Sequence, residues 1–188
     1  KIRLAVIGIS ILSGFFIYYT PSKGLDIQFM DVGQGDGIFI KADDGTTITI
    51  DGGSSDVKNV AKYRMIPCIK ASGTGVIDYA VITHADKDHI SGIEEILNMN
   101  TENGLTIRNL VMPHVSYEDE AYDELLTAAK TKGIQVLYIK EGDTMKLGKV
   151  EIKCIHPDGK YISDNRNDYS TVLSLKYENF SALFTGDI

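Results

Sequence analysis

The first hydrophobic positions fall without any period. From Leu4 to Tyr19 the chain is apolar on every face of a helix, broken only by glycines and the small hydroxyls of Ser10 and Ser13, and no charge occurs between Leu4 and Ser22. A core helix would carry a polar stripe, and this run has none. It predicts a membrane helix over residues 4 to 19, near the lower limit of about 17 to 25 residues for a span, with Tyr18 and Tyr19 at an interface-like position. Lys1 and Arg3 belong on the cytoplasmic side, which places everything after Pro21 outside the cytoplasm. No A-x-A-like site follows, so the run reads as retained rather than cleaved. Thr20-Pro21-Ser22-Lys23-Gly24 is rich in breakers. The chain thus divides into a transmembrane helix with its linker over 1–22 and one domain over 23–188.

After the linker the pattern becomes periodic. Leu25 to Met30 alternates apolar with polar, Gly37 to Ile40 is short and β-rich, and Thr46 to Ile50 is β-branched throughout, which predicts three strands as antiparallel neighbours. Asp56 to Ala71 has helical spacing, and Val76 to Thr83 reads as a buried strand. Ser91-Gly92-Ile93-Glu94 is a capping box opening a helix over Ile93 to Met99. Strand, helix and strand follow over Ile107–Met112, Glu118–Lys132 and Ile134–Ile139. Thr144–Leu147, Val150–Ile155, Thr171–Tyr177 and Phe180–Phe184 then form hairpins, with Gly148 and Asn179 at turns. Two β-rich stretches with helices interposed predict an α/β layered sandwich with helices outside.

Composition narrows this picture. At 188 residues, 43% hydrophobic and 24% charged, the chain has room for one core and is excluded from the disordered class. Nineteen Lys and Arg against 26 Asp and Glu give a net charge of −7, which excludes a basic glove that holds nucleic acid by bulk electrostatics. An anionic substrate must be captured locally. Cys68 and Cys154 lie far apart and outside any C-x-x-C pattern, so neither a disulfide scaffold nor a cysteine zinc knuckle is present. Lys1 is no initiator Met and Ile188 ends on an apolar run, so the chain reads as a piece of a longer protein.

The chemistry concentrates in His84-Ala85-Asp86-Lys87-Asp88-His89, where four ligand-type side chains fall between a strand and a helix. On the extended exit from the strand, residues 84 and 86 point to one side. Asp88 and His89 fall where the chain turns, so two adjacent ions can share one loop. Asp187 ends an apolar strand, where a carboxylate is costly unless a cation holds it. The expected metal set is His84, Asp86, Asp88, His89 and Asp187, with Asp86 and Asp88 also counted as catalytic. Carboxylates beside only two histidines shift preference from zinc towards harder ions such as manganese or magnesium. His114 and His156 sit at strand ends beside prolines and read as loop-edge residues. Lys87 and Arg166 are available to hold phosphate.

These motifs resemble the metallo-β-lactamase superfamily, whose strand-end signature is H-x-H-x-D-H, and within it the ComEC-type branch of DNA-uptake competence proteins, which carries Asp at the third position. Asp31-Val32-Gly33-Gln34-Gly35-Asp36, Ile50-Asp51-Gly52-Gly53, Asn167-Asp168-Tyr169-Ser170-Thr171-Val172-Leu173 and Thr185-Gly186-Asp187 match that branch in order. The resemblance covers residues 25 to 188. It implies an αββα sandwich, two divalent ions (manganese or zinc), and a bridging role for Asp187. It also implies support from behind the ligands by Asp51, and a site floor lined by Asp31 and Asp36. The extra histidine of the lactamase-like branches has no counterpart; Asn165, Asn167 and Ser170 stand there, and Asn167 and Ser170 join Lys87 as expected substrate-binding residues. Family members continue past the T-G-D segment to a late histidine, so the domain is expected to be C-terminally incomplete.

The resemblance implies an extracytoplasmic, metal-dependent nuclease domain of a membrane protein, acting on DNA phosphodiester bonds beside channel-forming segments outside this chain. A membrane-tethered hydrolase of lactams or lactones, and a non-catalytic module that guides DNA, are the alternatives.

Overall fold

The computed structural model describes all residues except 1, 19–23, 101–103, 116–118, 161–162 and 164. Alternation along the strands sorts the apolar side chains into two cores. Phe39, Ile77, Ala80, Ile82, Leu110 and Met112 face the helices, whereas Ile38, Ile40, Ile48, Ile50, Val81 and Val111 face a second sheet. The strands responsible are β1 (Asp26–Phe29), β2 (Gly37–Lys41), β3 (Thr47–Asp51), β4 (Val76–Val81), β5 (Thr106–Pro113) and β6 (Gln135–Ile139), laid side by side in chain order. β1, β2 and β3 pair antiparallel, as the alternation predicts, and β3 to β6 pair parallel. Parallel neighbours need crossovers. These are a π-helical turn (Ala61–Met65) running into α2 (Ile66–Ala71), then α3 (Lys87–Asn98) and α4 (Glu120–Thr131), all packed into the first core.

The second sheet, β7 (Thr144–Leu147), β8 (Val150–His156), β9 (Val172–Tyr177) and β10 (Phe180–Phe184), is antiparallel in the order β10-β9-β8-β7. The described residues therefore build three layers, helices on sheet on sheet. A second helical layer is not among them, and Ile155, Phe180 and Leu183 of the second sheet are exposed. Cys154 is buried between the sheets and Cys68 is half-buried, both as free thiols. Burial pushes the Cys154 thiol up to about 11, which keeps it protonated and inert.

Two expectations about helices are corrected. α3 begins at Lys87 with Asp86 at its N-cap position, four residues before the Ser91 capping box. Ser91 lies inside the helix, and its hydroxyl accepts from the Ser54 N–H at 3.0 Å. The other concerns α1 (Ile2–Tyr18), whose 17 residues reach about 25 Å against a hydrocarbon core of about 30 Å. No helix among the described residues is long and apolar enough to cross a membrane, so the spanning helix expected over 4–19 is not borne out. Its described side chains from Arg3 to Gly14 are all exposed. Tyr19, Lys1 and most of the expected linker lie outside the described residues.

Candidate metal centre

β3, β4 and β10 end at one edge of the sandwich, and α3 starts there. Asp51 closes β3 with φ 55°, a left-handed conformation that Asp tolerates better than most residues. That turn carries its buried carboxylate back across the strand ends. It accepts from the Thr83 N–H at 2.7 Å, the Thr83 hydroxyl at 2.6 Å and His89 Nδ1 at 2.8 Å. A carboxylate facing an imidazole nitrogen in this way fixes the tautomer and turns Nε2 towards the site. Because Thr83 gives its proton to Asp51, its oxygen can accept from His84 Nδ1, 3.0 Å away, with Ser170 Oγ at 3.2 Å. His84 then presents an Nε2 lone pair as well.

The two rings lie 4.0 Å apart between centroids. His84 Nε2 is buried and has no hydrogen-bond partner, an orphan that a protein tolerates where something else is meant to bind. His89 Nε2 faces Asp187 Oδ1 at 3.2 Å. Ligand atoms of His84, His89 and Asp187 all lie within 4.8 Å of one another, and those of Asp36, Asp51 and His89 form a second such group. A divalent ion bound by nitrogen and oxygen at about 2.0–2.2 Å needs this kind of spacing. The donor set and the orphaned nitrogen fit such an ion.

Electrostatics point the same way. Burial opposes charge on His89, but the Asp51 hydrogen bond and the charges of Asp51, Asp187 and Asp36 outweigh it and carry the imidazole up to about 9. Burial, then the charge on His89, holds His84 below its ordinary value. Burial also raises Asp36, with Asp51 and Asp187 adding to the effect against the two histidines. The carboxylates thus favour positive charge on His89, while burial and that charge press His84 towards its neutral form.

Close backbone packing holds the parts together. Asp36 N–H donates to the Asp88 carbonyl at 3.1 Å, Gly53 N–H to Asp36 at 3.0 Å, and Gly52 N–H to His89 at 2.9 Å. A Cβ on Gly35 or Gly53 would run into the Asp88 backbone, so these glycines permit the contact between the Asp31–Asp36 loop, the end of β3 and the first turn of α3.

The expected site residues sort accordingly. His84, His89 and Asp187 come together, and Asp36 and Asp51 lie against them. Asp86 stands beside His84, its Oδ2 3.6 Å from Nε2, but it belongs to neither group of mutually close ligand atoms. Asp88 joins neither group of mutually close ligand atoms. It sits on the first turn of α3, and adjacent positions on a helix point about 100° apart, so seating His89 on Asp51 does not bring Asp88 with it. Asp187 is exposed, which removes the burial argument made for it from sequence.

Asp31, expected on the site floor with Asp36, is instead 85% exposed and paired with Arg64 at 3.7 Å. Residues 31 and 36 sit at opposite ends of the glycine turn, and only Asp36 turns inward. Ser170, expected at the substrate, is buried behind His84 and accepts from the Asp187 N–H at 3.3 Å. Lys87 pairs with Glu94 at 2.7 Å. Asn167 is half-buried on the 3₁₀ turn (Asn167–Tyr169). His156 Nε2 lies 2.8 Å from the Asp168 carbonyl, and His114 packs edge-on against Tyr138. Sequence reasoning missed Thr83, whose side chain links Asp51 to His84; a hydroxyl directly before the first ligand was the available signal.

Helices on one face of a double sheet, with two histidines and acidic residues at the strand ends, define a metallo-β-lactamase-like fold. The fold matches YhfI from Bacillus subtilis, a metallo-β-lactamase fold protein, with a TM-score of 0.55 at 10% identity over 86% of this chain and 61% of that one. It also matches a metallo-β-lactamase from Staphylococcus aureus subsp. aureus COL, with a TM-score of 0.52 at 18% identity over 87% of this chain and 44% of that one. In sequence, the chain is similar to ComE operon protein 3 of Bacillus subtilis (strain 168), 26% identical over 186 residues covering 92% of this chain. The chain spans 23% of that relative's length. No protein-family model matches. The chain thus has the metallo-β-lactamase fold, and its sequence likeness is to the ComEC type.

Proposed function

We propose that this chain is the metal-dependent hydrolase domain of a ComEC-type protein and that it cleaves DNA phosphodiester bonds. The carrying observation is the buried His84 Nε2, without a hydrogen-bond partner, beside His89 and Asp187. Two divalent ions, manganese or zinc, would be held by His84, His89 and Asp187 with Asp86 and Asp88 alongside, and when bound would supply phosphoryl polarisation and an activated water. The chain's own residues do the positioning. Asp51 fixes the His89 tautomer, Thr83 and Ser170 fix that of His84, and Ser170 also holds the turn that carries Asp187.

DNA as substrate rests on the resemblance of the motifs to the ComEC-type branch of DNA-uptake competence proteins, with which the likeness to ComE operon protein 3 agrees. Asn167, on the half-exposed turn beside Ser170, and Lys87 on the outer rim remain candidates for contact with DNA. We place the domain at the membrane: α1 exposes apolar side chains all round, including Leu4, Ile9 and Ile11, a surface that water penalises and lipid does not. The domain would face outside the cytoplasm, beside membrane segments of the longer protein.

Incubation of the purified chain with labelled single- and double-stranded DNA, and separately with a chromogenic lactam and a lactone, tests the reading. Manganese should support DNA cleavage at least as well as zinc, and Asp187→Ala should lower the rate on the order of 100-fold. DNA left intact with either ion, or cut equally by Asp187→Ala, would remove the nuclease reading. Turnover of the lactam or lactone would replace it with a small-molecule hydrolase. Retention of DNA without shortening would leave a guiding module.

A further inference from the structure

Arg166 lies 80 residues from Asp86 in the chain, yet its Nη1 donates to Asp86 Oδ1 at 3.2 Å. Its Nε reaches Asp119 Oδ2 at 2.7 Å and its Nη2 reaches Asp119 Oδ1 at 3.2 Å, the two-pronged geometry in which guanidinium and carboxylate fit best. Asp119 is fixed in turn. Its side chain is 2% exposed, and it accepts from the Ala121 N–H at 2.9 Å as the N-cap of α4. On the other side, Arg166 leads into the Asn167–Tyr169 turn, where the buried Tyr169 hydroxyl is bound by the backbone of Ser163 at 2.6 Å and 2.8 Å. One residue further, Ser170 meets His84 Nδ1. A single anchored segment therefore supports both members of the His84/Asp86 pair.

The two oxygens of Asp86 are divided. Oδ1 is taken by Arg166, and Oδ2 stands 3.6 Å from the orphaned His84 Nε2. We infer that Arg166 is a positioning residue: seated on Asp119, it holds the Asp86 carboxylate with Oδ2 turned to the ion position rather than gripping substrate phosphate itself. This rests on the metal centre proposed above. Nε, Nη1 and Nη2 are all directed at carboxylates, so a phosphate would have to compete with two anions already in place. Lysine cannot substitute, because one ammonium cannot span the bidentate seat and reach the second carboxylate. Carboxylates at metal sites are commonly held by such outer partners, whose loss costs about 10–100-fold in ion affinity.

The test is manganese affinity of the full chain, measured by competition with a chelating dye, in wild type, Arg166→Lys, Asp86→Ala and the double variant. Arg166→Lys should weaken binding about tenfold or more, and the loss should vanish in the Asp86→Ala background, because the residue acts through that carboxylate. Asp119→Asn retains an acceptor for Ala121 and removes the charge that seats Arg166, so it should weaken binding in the same direction and serves where Arg166→Lys fails to fold. Wild type that binds manganese while Arg166→Lys binds it equally well overturns this inference alone, as does a loss that persists without Asp86. Unchanged ion affinity with a raised KM for DNA overturns it in favour of phosphate contact. Wild type that binds neither manganese nor zinc overturns the metal centre, and this inference with it.

Discussion

Asp51→Ala is expected to cost about 3–5 kcal/mol of stability, the range for removing one partner of a buried, hydrogen-bonded charge pair. The carboxylate accepts from three donors, Thr83 N–H, Thr83 Oγ1–H and His89 Nδ1–H, and its removal takes that acceptor from all three. Alanine also accommodates the φ of 55° less well than Asp. Divalent-ion affinity should fall about 10–100-fold at the same time, since the His89 ring loses what orients it. Asp51→Asn separates the effects. It tolerates the left-handed backbone and keeps one acceptor, so it should retain more of the stability than of the ion affinity. Urea unfolding in chelator, together with dye competition, checks both. Wild-type midpoints and affinities for Asp51→Ala would show that the network is idle.

The second large effect is expected from a single methyl group. Gly53→Ala places a Cβ against the backbone of Asp88 and His89, at a glycine whose φ is not in the left-handed region, so the penalty is steric. Backbone cannot rotate aside as a long side chain can. Either the first turn of α3 moves, taking His89 off Asp51, or the end of β3 does. Overpacking of this kind costs about 1–3 kcal/mol, and the displaced ligand should reduce ion binding further than stability alone would. Gly75→Ala is the control: nothing lies within 4 Å of its added Cβ. Thermal unfolding should leave Gly75→Ala near wild type and lower Gly53→Ala by several degrees. Equal midpoints and equal ion binding would contradict the packing account.

Those two positions show what the sequence made legible. Strands were readable because each alternates between two apolar surroundings: Ile38 and Ile40 look one way and Phe39 the other. His84 and His89 were readable because four ligand-type side chains crowd one loop after a strand. The role of Asp51 was implied only by the family resemblance, and Asp187 reaches the site although the burial argument for it does not hold. The start of α3 was not, because Ser91-Gly92-Ile93-Glu94 has the local form of a cap while the helix is already running, and only the contact with Ser54 explains the serine. Nor could local sequence decide which end of the Asp31–Asp36 turn faces inward. That depends on Asp36 docking against the Asp88 backbone more than fifty residues later. Ser170 and Arg166 were legible as polar residues near a motif, but their partners, His84, Asp86 and Asp119, come from other elements. The spanning helix expected over residues 4–19 is not supplied by the described residues, because an apolar run alone does not fix a helix long enough to cross.

The central claim is that His84, His89 and Asp187 hold a divalent ion, with Asp36, Asp51 and Asp86 arranged around them. Its most direct test is the ion content of the purified chain after manganese or zinc loading and exhaustive dialysis, compared with His84→Ala, in which the orphaned nitrogen is gone. The account predicts stoichiometric retention by wild type and depletion in His84→Ala, with Asp187→Ala intermediate because its carboxylate is exposed. Equal ion content in wild type and His84→Ala, both folded, would contradict it.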